Sequence, residues 1–439
     1  MVTSDLIQDL DASPNESVSP IANEQAVDCS THPENTAVFT KANFVPAPEQ
    51  PNQVAVLGIR FDFNDGCRIL LPSGTWRVRI SDSDTSNILF EAETTGGWVN
   101  STKRYYVHFR IDIWDKNNLV LTHEYSAKQQ KVLIQFPVGT LGDLIGWFPY
   151  AVKLQKKHQC FLSCVMAAAI IPLFKDAYPN IEFLTPEQVL ADHYYATYRI
   201  GLFFDDEQRV YQPCDFRLVG LHRTAGYILG VDPTEEQPKI QLEDDSRPIP
   251  EKYVCIAVQS TTQAKYWNHP TAWRDVVAYL KENGYRVICI DQKATHGYGI
   301  IWNHIPYGAE DETGDRSLQE RARWLKHAEF FIGLSSGLSW LAWAMQTPVV
   351  LISGFTHPIN EFQTPYRVIN YHTCNSCWND VRHRFDHKDF LWCPKHKDTP
   401  RQFECTRSIT SEAVKTVLRT IPYFEASLTT IVNKSISIS

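Results

Sequence analysis

From Lys131 onward the chain repeats one pattern: an apolar run of strand length, a small-residue turn, then a segment with helical period. The first series reads KVLIQFPVG, LGDLIGWFPYAVKLQKK, CFLSCVMAAAIIPLF, EFLTPEQVLAD and ATYRIGLFF. The second reads YVCIAVQS, HPTAWRDVVAYLKENG, YRVICIDQ, SLQERARWLKHA, FFIGLSS, GLSWLAWAMQ and PVVLISG, with TSEAVKTVLRTI as a closing helix. Strands alternating with helices require parallel sheets with helices on their faces. The fold class is therefore α/β, with two doubly wound, Rossmann-like lobes. The stretch VDPTEEQPKIQLEDDSRPIP (231–250), rich in Pro and acidic residues, separates them. Such lobes facing each other place a cleft at the C-terminal strand ends, where ligands bind.

Ahead of the lobes the period changes to two. WRVRISD, NILFEAET, YYVHFRIDIWD and LVLTHEYS alternate apolar and polar residues, and NDG (64–66), PSG (72–74) and TGG (95–97) supply turns. This predicts a small N-terminal antiparallel β-domain. Residues 1–50, rich in Ser, Asn, Pro, Glu and Thr, read as a disordered or loosely attached arm. The expected divisions are 1–50 for the arm, 51–130 for the β-domain, 131–235 for the first lobe and 236–439 for the second.

The balance of charge narrows the class. A net charge of -8 with 21% charged residues disfavours a nucleic-acid binder that works through a global basic field. No run approaches the roughly 18 apolar residues of a membrane span. The start, MVTSDLIQDLDASPNES, lacks a secretory pattern, so a cytoplasmic protein is expected. Of eleven cysteines, Cys29, Cys67, Cys160, Cys164, Cys214, Cys255 and Cys289 are scattered, several inside apolar runs where they read as small buried hydrophobes.

The other four, Cys374, Cys377, Cys393 and Cys405, are spaced C-x2-C-x15-C-x11-C in a late loop rich in His, Lys and Asp. Two thiolates from one knuckle and two later ones complete a tetrahedral S4 cage, which suits zinc or iron equally. A closed four-thiolate site has no open position and is structural. His372, His383, His387 and His396 lie nearby, but the cysteines alone suffice for four ligands.

Four further stretches carry chemistry. In FPVGTLGDLIGWFPY (136–150) strand-end glycines open a helix whose free N–H groups suit an anion, and Asp143 is either a helix-capping residue or a general base facing the cleft. In VQSTTQAKYWNHPTAW (258–273) hydroxyls and Lys265 follow a strand, as a diphosphate leaving group requires, although a solvated surface loop would look the same. GLSSGLSWLAWA (333–344) again presents backbone donors at a helix start. In SGFTHPINEF (353–362) Glu361 is placed to hold ribose hydroxyls.

Together these stretches resemble ADP-heptose-dependent glycosyltransferases of the two-lobed GT-B fold. GTLGD resembles the turn carrying the catalytic aspartate of lipopolysaccharide heptosyltransferases, and STTQAKYW resembles their phosphate-binding segment. GLSSGLSWLAWA resembles their D-T-G-L-S-H-L-A turn, with Ser335 in place of aspartate and Trp340 in place of histidine. The β-rich front and the four-cysteine loop narrow the match to bacterial autotransporter heptosyltransferases. That resemblance implies a GT-B enzyme moving heptose from ADP-heptose, of D-glycero configuration, to Ser/Thr hydroxyls of an autotransporter passenger protein. It implies inversion without a catalytic metal, iron on the four cysteines, and a large homo-oligomer, a dodecamer. Asp143 becomes the general base and Lys265 the group that stabilises departing ADP. Thr140, Leu141 and Gly142 present backbone donors to the sugar phosphate, with Gln259, Thr261, Gln292, Gly337 and Glu361 as nucleotide contacts. Gln292 is included because it ends the strand VICID on the nucleotide side.

Two competing readings stand beside this one. A lipopolysaccharide-type heptosyltransferase would share the donor and accept a sugar. A non-catalytic protein could use the metal finger, with Arg382, Arg384, Lys388, Lys395, Lys397 and Arg401, to grip nucleic acid or protein.

Overall fold

The computed structural model describes residues 44–136, 140–299, 301–422 and 424. All of these belong to one compact unit, Phe39–Ser439. The expected α/β organisation is present.

The N-terminal segment forms two antiparallel four-stranded sheets. One orders Gln53–Val54, Arg60–Asp62, Arg68–Leu71 and Gly97–Asn100; the other orders Ile88–Thr94, Trp76–Asp82, Phe109–Asp115 and Asn118–Glu124. Alternation sets the faces: Trp76, Val78 and Ile80 are buried, while Arg77 stacks on Trp114 at 4.0 Å. Backbone hydrogen bonds join the domain to the first lobe at several points, among them Arg104 N to Val210 O and Tyr106 N to Ile228 O, both at 2.8 Å, and a bridge at Phe63. Phe63 N donates to Tyr195 O (3.0 Å) and Phe63 O accepts from Thr197 N (3.1 Å), which occupies an otherwise open sheet edge. Asn64 reinforces the bridge, donating to Tyr194 O (2.7 Å) and accepting from the Thr197 hydroxyl (2.8 Å).

The end of the expected N-terminal arm is tied down. Val45 exchanges two hydrogen bonds with the Gln135 side chain (2.7 and 3.0 Å), and Pro48 O accepts from Arg68 (2.8 Å). Loose attachment therefore does not describe residues 44–50; residues 1–43 lie outside the described part.

The first lobe has four parallel strands in the order Ile181–Leu184, Phe161–Val165, Lys131–Gln135, Ala196–Arg199. Helix α1, Leu141–His158, follows the third of these in space and packs against α2, Leu221–Leu229. Trp147 Nε1 donates to Leu221 O at 2.7 Å, so the α1 indole closes the start of α2.

The second lobe has six parallel strands in the order Glu310–Asp311, Arg286–Cys289, Tyr253–Ile256, Phe331–Leu334, Val349–Ile352, Arg367–Val368. Its helices are α3 (Ala272–Glu282), α4 (Leu318–His327), α5 (Gly337–Ala344) and α6 (Ser411–Leu418). Ser317 and Thr410 cap α4 and α6, accepting from Glu320 N (3.1 Å) and Ala413 N (3.2 Å). In chain order these strands run 3-2-1-4-5-6, so the order reverses between Tyr253–Ile256 and Phe331–Leu334. A crevice opens at such a reversal, at the carboxyl strand ends. The Lys265 turn leaves one of these two strands and the Ser335–Gly337 turn leaves the other. Among the described residues no helix is long and apolar enough to cross a membrane.

Candidate active site and cysteine finger

The strand Lys131–Gln135 delivers the chain to Thr140 and the first turn of α1, whose leading N–H groups have no helical partner. Asp143 stands in that turn. Its Oδ2 accepts from the Thr140 hydroxyl (2.9 Å) and more weakly from Thr140 N (3.3 Å), so the capping role is real. It does not exhaust the carboxylate, because Oδ1 receives no hydrogen bond among the described residues. The Thr140 N–H is thereby occupied, leaving Leu141 and Gly142 as the donors of this turn.

The start of α5 meets the start of α1 at very close range. A Cβ on Gly337 would lie 2.8 Å from Leu141 Cβ, and a Cβ on Gly142 would lie 2.6 Å from Trp340 Cδ1. Only hydrogen at these positions lets the two lobes approach so closely. Two helix N-termini, one from each lobe, thus point their positive dipole ends at one place. Trp340 is buried against Gly142, Gly146, His222 and Phe362, so at this position the chain has packing in place of a polar contact.

Lys265 ends the one-turn helix Gln263–Lys265. Its ammonium lies 5.8 Å from the Phe355 ring and 5.9 Å from the Trp378 ring, and donates to no protein acceptor among the described residues. Asp143 and Lys265 are near enough to influence each other's ionisation without an ion pair within 4.0 Å. Both are half-buried yet enclosed by protein. Desolvation raises the Asp143 pKa, opposed by the Thr140 hydrogen bonds and the lysine charge. Desolvation lowers the Lys265 pKa, opposed by Asp143. A carboxylate moved up and an ammonium moved down are the changes that ready a proton acceptor and a charge-stabilising donor.

The other expected contacts divide. Thr261 is exposed beside the Lys265 turn, and Gly337 is in the cleft. Gln259 is half-buried and its amide donates to Lys293 O (2.7 Å). Gln292 is exposed at its strand end. Its neighbour Asp291, which sequence reasoning passed over, is buried and accepts from Val258 N (2.7 Å) and Gln259 N (3.3 Å). Desolvation pushes its pKa up to about 6. It fixes the path of the segment leading to Lys265. Glu361, expected at the ribose, is 1% exposed, paired with Arg367 and bonded by the Ser353 hydroxyl (2.7 Å). Both carboxylate oxygens thus have partners within the protein.

The late cysteine loop is a finger wedged between the lobes. Its Trp378 and Phe385 pack with Phe355 of the second lobe and with Phe204 and Phe216 of the first. Arg384 pairs with Asp205, and Asn379 donates to Arg217 O (3.0 Å). Phe390 O accepts from Gln263 N and the Thr262 hydroxyl, both at 2.9 Å, so the finger also holds the Lys265 turn. Cys377, Cys393 and Cys405 are buried, Cys374 is half-buried, and none is in a disulfide. Each of Cys374, Cys377 and Cys405 feels the charge of other members of the set. Four gathered, unpaired thiols fit a thiophilic metal. The tightest ligand grouping is different from the four-cysteine expectation: Cys374, His396 and Glu404 bring their ligand atoms within 4.8 Å of one another. Cys374 N donates to Glu404 Oε1 (3.4 Å), which draws this knuckle toward the Glu404 carboxylate.

Two facing α/β lobes, joined at opposed helix N-termini beside a carboxylate and an ammonium, have the architecture of a two-lobed glycosyltransferase. Comparison with known proteins agrees. The model for glycosyltransferase family 9 (heptosyltransferase) matches residues 226–385, and that for the N-terminal domain of glycosyltransferase TibC matches residues 56–117. An autotransporter heptosyltransferase of Citrobacter rodentium, BAHTCr, is 56% identical over 85% of this chain and 92% of its own length. The crystal structure of dodecameric iron-containing heptosyltransferase TibC with ADP-D-beta-D-heptose is 53% identical, with a TM-score of 0.83 over 86% of this chain and 99% of that one. BimC of Burkholderia thailandensis, described as an inactive autotransporter heptosyltransferase, is 48% identical over 86% of this chain and 89% of its own length. The chain belongs to the autotransporter heptosyltransferase family, within the glycosyltransferases.

Proposed function

We propose that the protein transfers heptose from ADP-heptose to Ser/Thr hydroxyls of an autotransporter passenger, with Asp143 as general base and Lys265 on the leaving group. The observation that carries this reading is the electrostatic proximity of Asp143 from one lobe to Lys265 from the other, beside two opposed helix N-termini.

The acceptor hydroxyl gives its proton to Asp143 while its oxygen bonds to the anomeric carbon. The bond from that carbon to the diphosphate oxygen breaks, and its electron pair leaves with ADP. Attack opposite the leaving group inverts the anomeric centre. The negative charge growing on the diphosphate is met by the Lys265 ammonium and by the N–H groups of Leu141, Gly142 and Gly337, which are fixed before reaction and need no reorganisation. Gln259 and Thr261 line the nucleotide side. A lysine whose donors are unspent, together with helix dipoles, does what a magnesium ion does elsewhere, and the chemical step uses no metal.

Cys374, Cys377, Cys393 and Cys405 would hold iron, with His396 and Glu404 beside Cys374. Bound there, a metal would supply a cross-link that stiffens the finger. The likeness to TibC supports iron, and a dodecameric assembly, over the alternatives.

The test is to incubate the protein with ADP-heptose and a Ser/Thr-rich passenger and read the acceptor by mass spectrometry. Mass increases in heptose units on Ser or Thr are expected. Unmodified passenger, with ADP-heptose still bound, would exclude the reading and place the chain with BimC. Transfer only to lipopolysaccharide core sugars would favour the other acceptor class.

A further inference from the structure

We propose that Trp378 of the cysteine finger, with Phe355, is a positioning residue that holds the Lys265 ammonium over two aromatic faces and so readies it for the donor diphosphate. This rests on the reading of Lys265 given above.

The geometry begins with what Lys265 lacks. Its ammonium has no hydrogen-bond acceptor among the described residues, and Asp143 stands beyond 4.0 Å. A long flexible side chain in that condition ordinarily samples many rotamers. Here ring faces at 5.8 and 5.9 Å come from two different segments, Phe355 after the strand Val349–Ile352 and Trp378 after Cys377. Aromatic faces attract a cation without using its N–H groups. The lysine is thus localised while all its donors stay available for phosphate oxygens.

The two rings are themselves fixed. Trp378 N donates to Phe355 O (3.1 Å), and the rings stand 5.8 Å apart. Phe204 and Phe385 pack edge-on against the indole at 5.8 and 5.1 Å. The choice of tryptophan is informative. Its Nε1 is buried with no partner among the described residues. A buried donor without a partner carries an uncompensated desolvation cost, so packing alone favours phenylalanine there. What the indole adds is the strongest cation-binding face among the side chains. The finger therefore reaches the active site through Trp378, one residue after its Cys377 knuckle, and is more than a remote staple.

The experiment is a double-mutant cycle read by ADP affinity, using calorimetry on the full-length metal-loaded protein. Trp378→Leu keeps apolar bulk and removes the face; ADP binding is expected to weaken roughly three- to tenfold, and Trp378→Phe to weaken it by at most about twofold. In a Lys265→Ala background Trp378→Leu is expected to change nothing further, with metal content and thermal midpoint measured for each variant. Equal losses in both backgrounds, or no loss in either, would overturn the proposal, because the indole would then act on the fold alone. Unchanged ADP affinity in Lys265→Ala would instead sink the lysine reading itself. Should Trp378→Leu lose the metal, Phe355→Leu removes the other face without touching the finger, and the same two-background pattern decides.

Discussion

Gly142 of α1 and Trp340 of α5 touch across the two lobes so closely that a Cβ on the glycine would lie 2.6 Å from the indole Cδ1. Trp340 in turn packs on His222 and Phe362, with ring centroids 5.7 and 5.1 Å away, so it has no room to retreat. Gly142→Ala must therefore push α1 off α5. Overpacking of this kind costs about 1–3 kcal/mol, which lowers the thermal midpoint. Because the same contact aligns the two helix N-termini, transfer rate should fall more than stability suggests. Gly142→Ala combined with Trp340→Leu should recover much of both, as read by differential scanning fluorimetry and heptose transfer.

In their proposed roles Asp143 and Lys265 would set a pH profile. The base must be ionised, so activity rises with pH through a carboxyl pKa above the ordinary 3.8, because burial outweighs the Thr140 and Lys265 contributions. The lysine must be charged, so activity falls again through an ammonium pKa below the ordinary 10.5. Initial rates should trace a bell narrower than unperturbed groups would give. Lys265→Ala should remove the alkaline limb and move the acid limb upward, since it deletes the one charge that lowers the Asp143 pKa. Asp143→Asn should cost about 10²–10⁴ in rate and abolish the acid limb, with ADP affinity retained. A variant whose profile keeps its acid limb would remove the base assignment.

The finger carries its own prediction. Cys377, Cys393 and Cys405 are buried, and the loop that holds them has few regular hydrogen bonds, its elements being one-turn helices at Cys377–Asn379 and Glu404–Arg407. A metal bound there, as proposed, would replace secondary structure as the source of order. Cys393→Ser should reduce metal per chain, lower the thermal midpoint, and weaken the contacts to Phe204 and Arg217. Elemental analysis and limited proteolysis over 370–407 check this. Wild-type metal content and protease resistance in Cys393→Ser would remove that cysteine from the ligand set, leaving Cys374, His396 and Glu404 as the grouping to test next.

The parts of this molecule visible in its sequence were those written in local periodicity. Apolar runs such as KYVCIAV and YRVICID became buried parallel strands, and WRVRISD an alternating one. The helix start at Thr140–Asp143 was legible because a helix start after a strand has one chemistry wherever it occurs. Contacts between distant segments were not legible. Phe63 completes the edge at Ala196, and Trp378 faces Lys265, with nothing in either neighbourhood to announce the partner. Asp291 was missed beside Gln292 because an acidic residue at a strand end reads as exposed until burial is known. The burial of Glu361 was hidden for the same reason.

Glu361 permits the sharpest separation of a binding role from a structural one. Its carboxylate is paired with Arg367 and accepts from the Ser353 hydroxyl at 2.7 Å, while Arg367 also donates to Phe362 O at 2.8 Å. Burial lowers the Arg367 pKa, opposed by Tyr371 and Glu235. Removing one member of such a pair leaves the other charged and dry, so Glu361→Ala should destabilise by about 3–5 kcal/mol. Replacing both by apolar residues of similar size removes that penalty, and the double variant Glu361→Leu/Arg367→Met should regain most of the lost thermal midpoint. ADP affinity in the recovered variant then decides the matter. If Glu361 is structural, calorimetry gives an ADP affinity close to wild type; if it holds the ribose, affinity stays roughly tenfold or more weakened, as expected when a charged hydrogen bond is lost, even though the fold is restored.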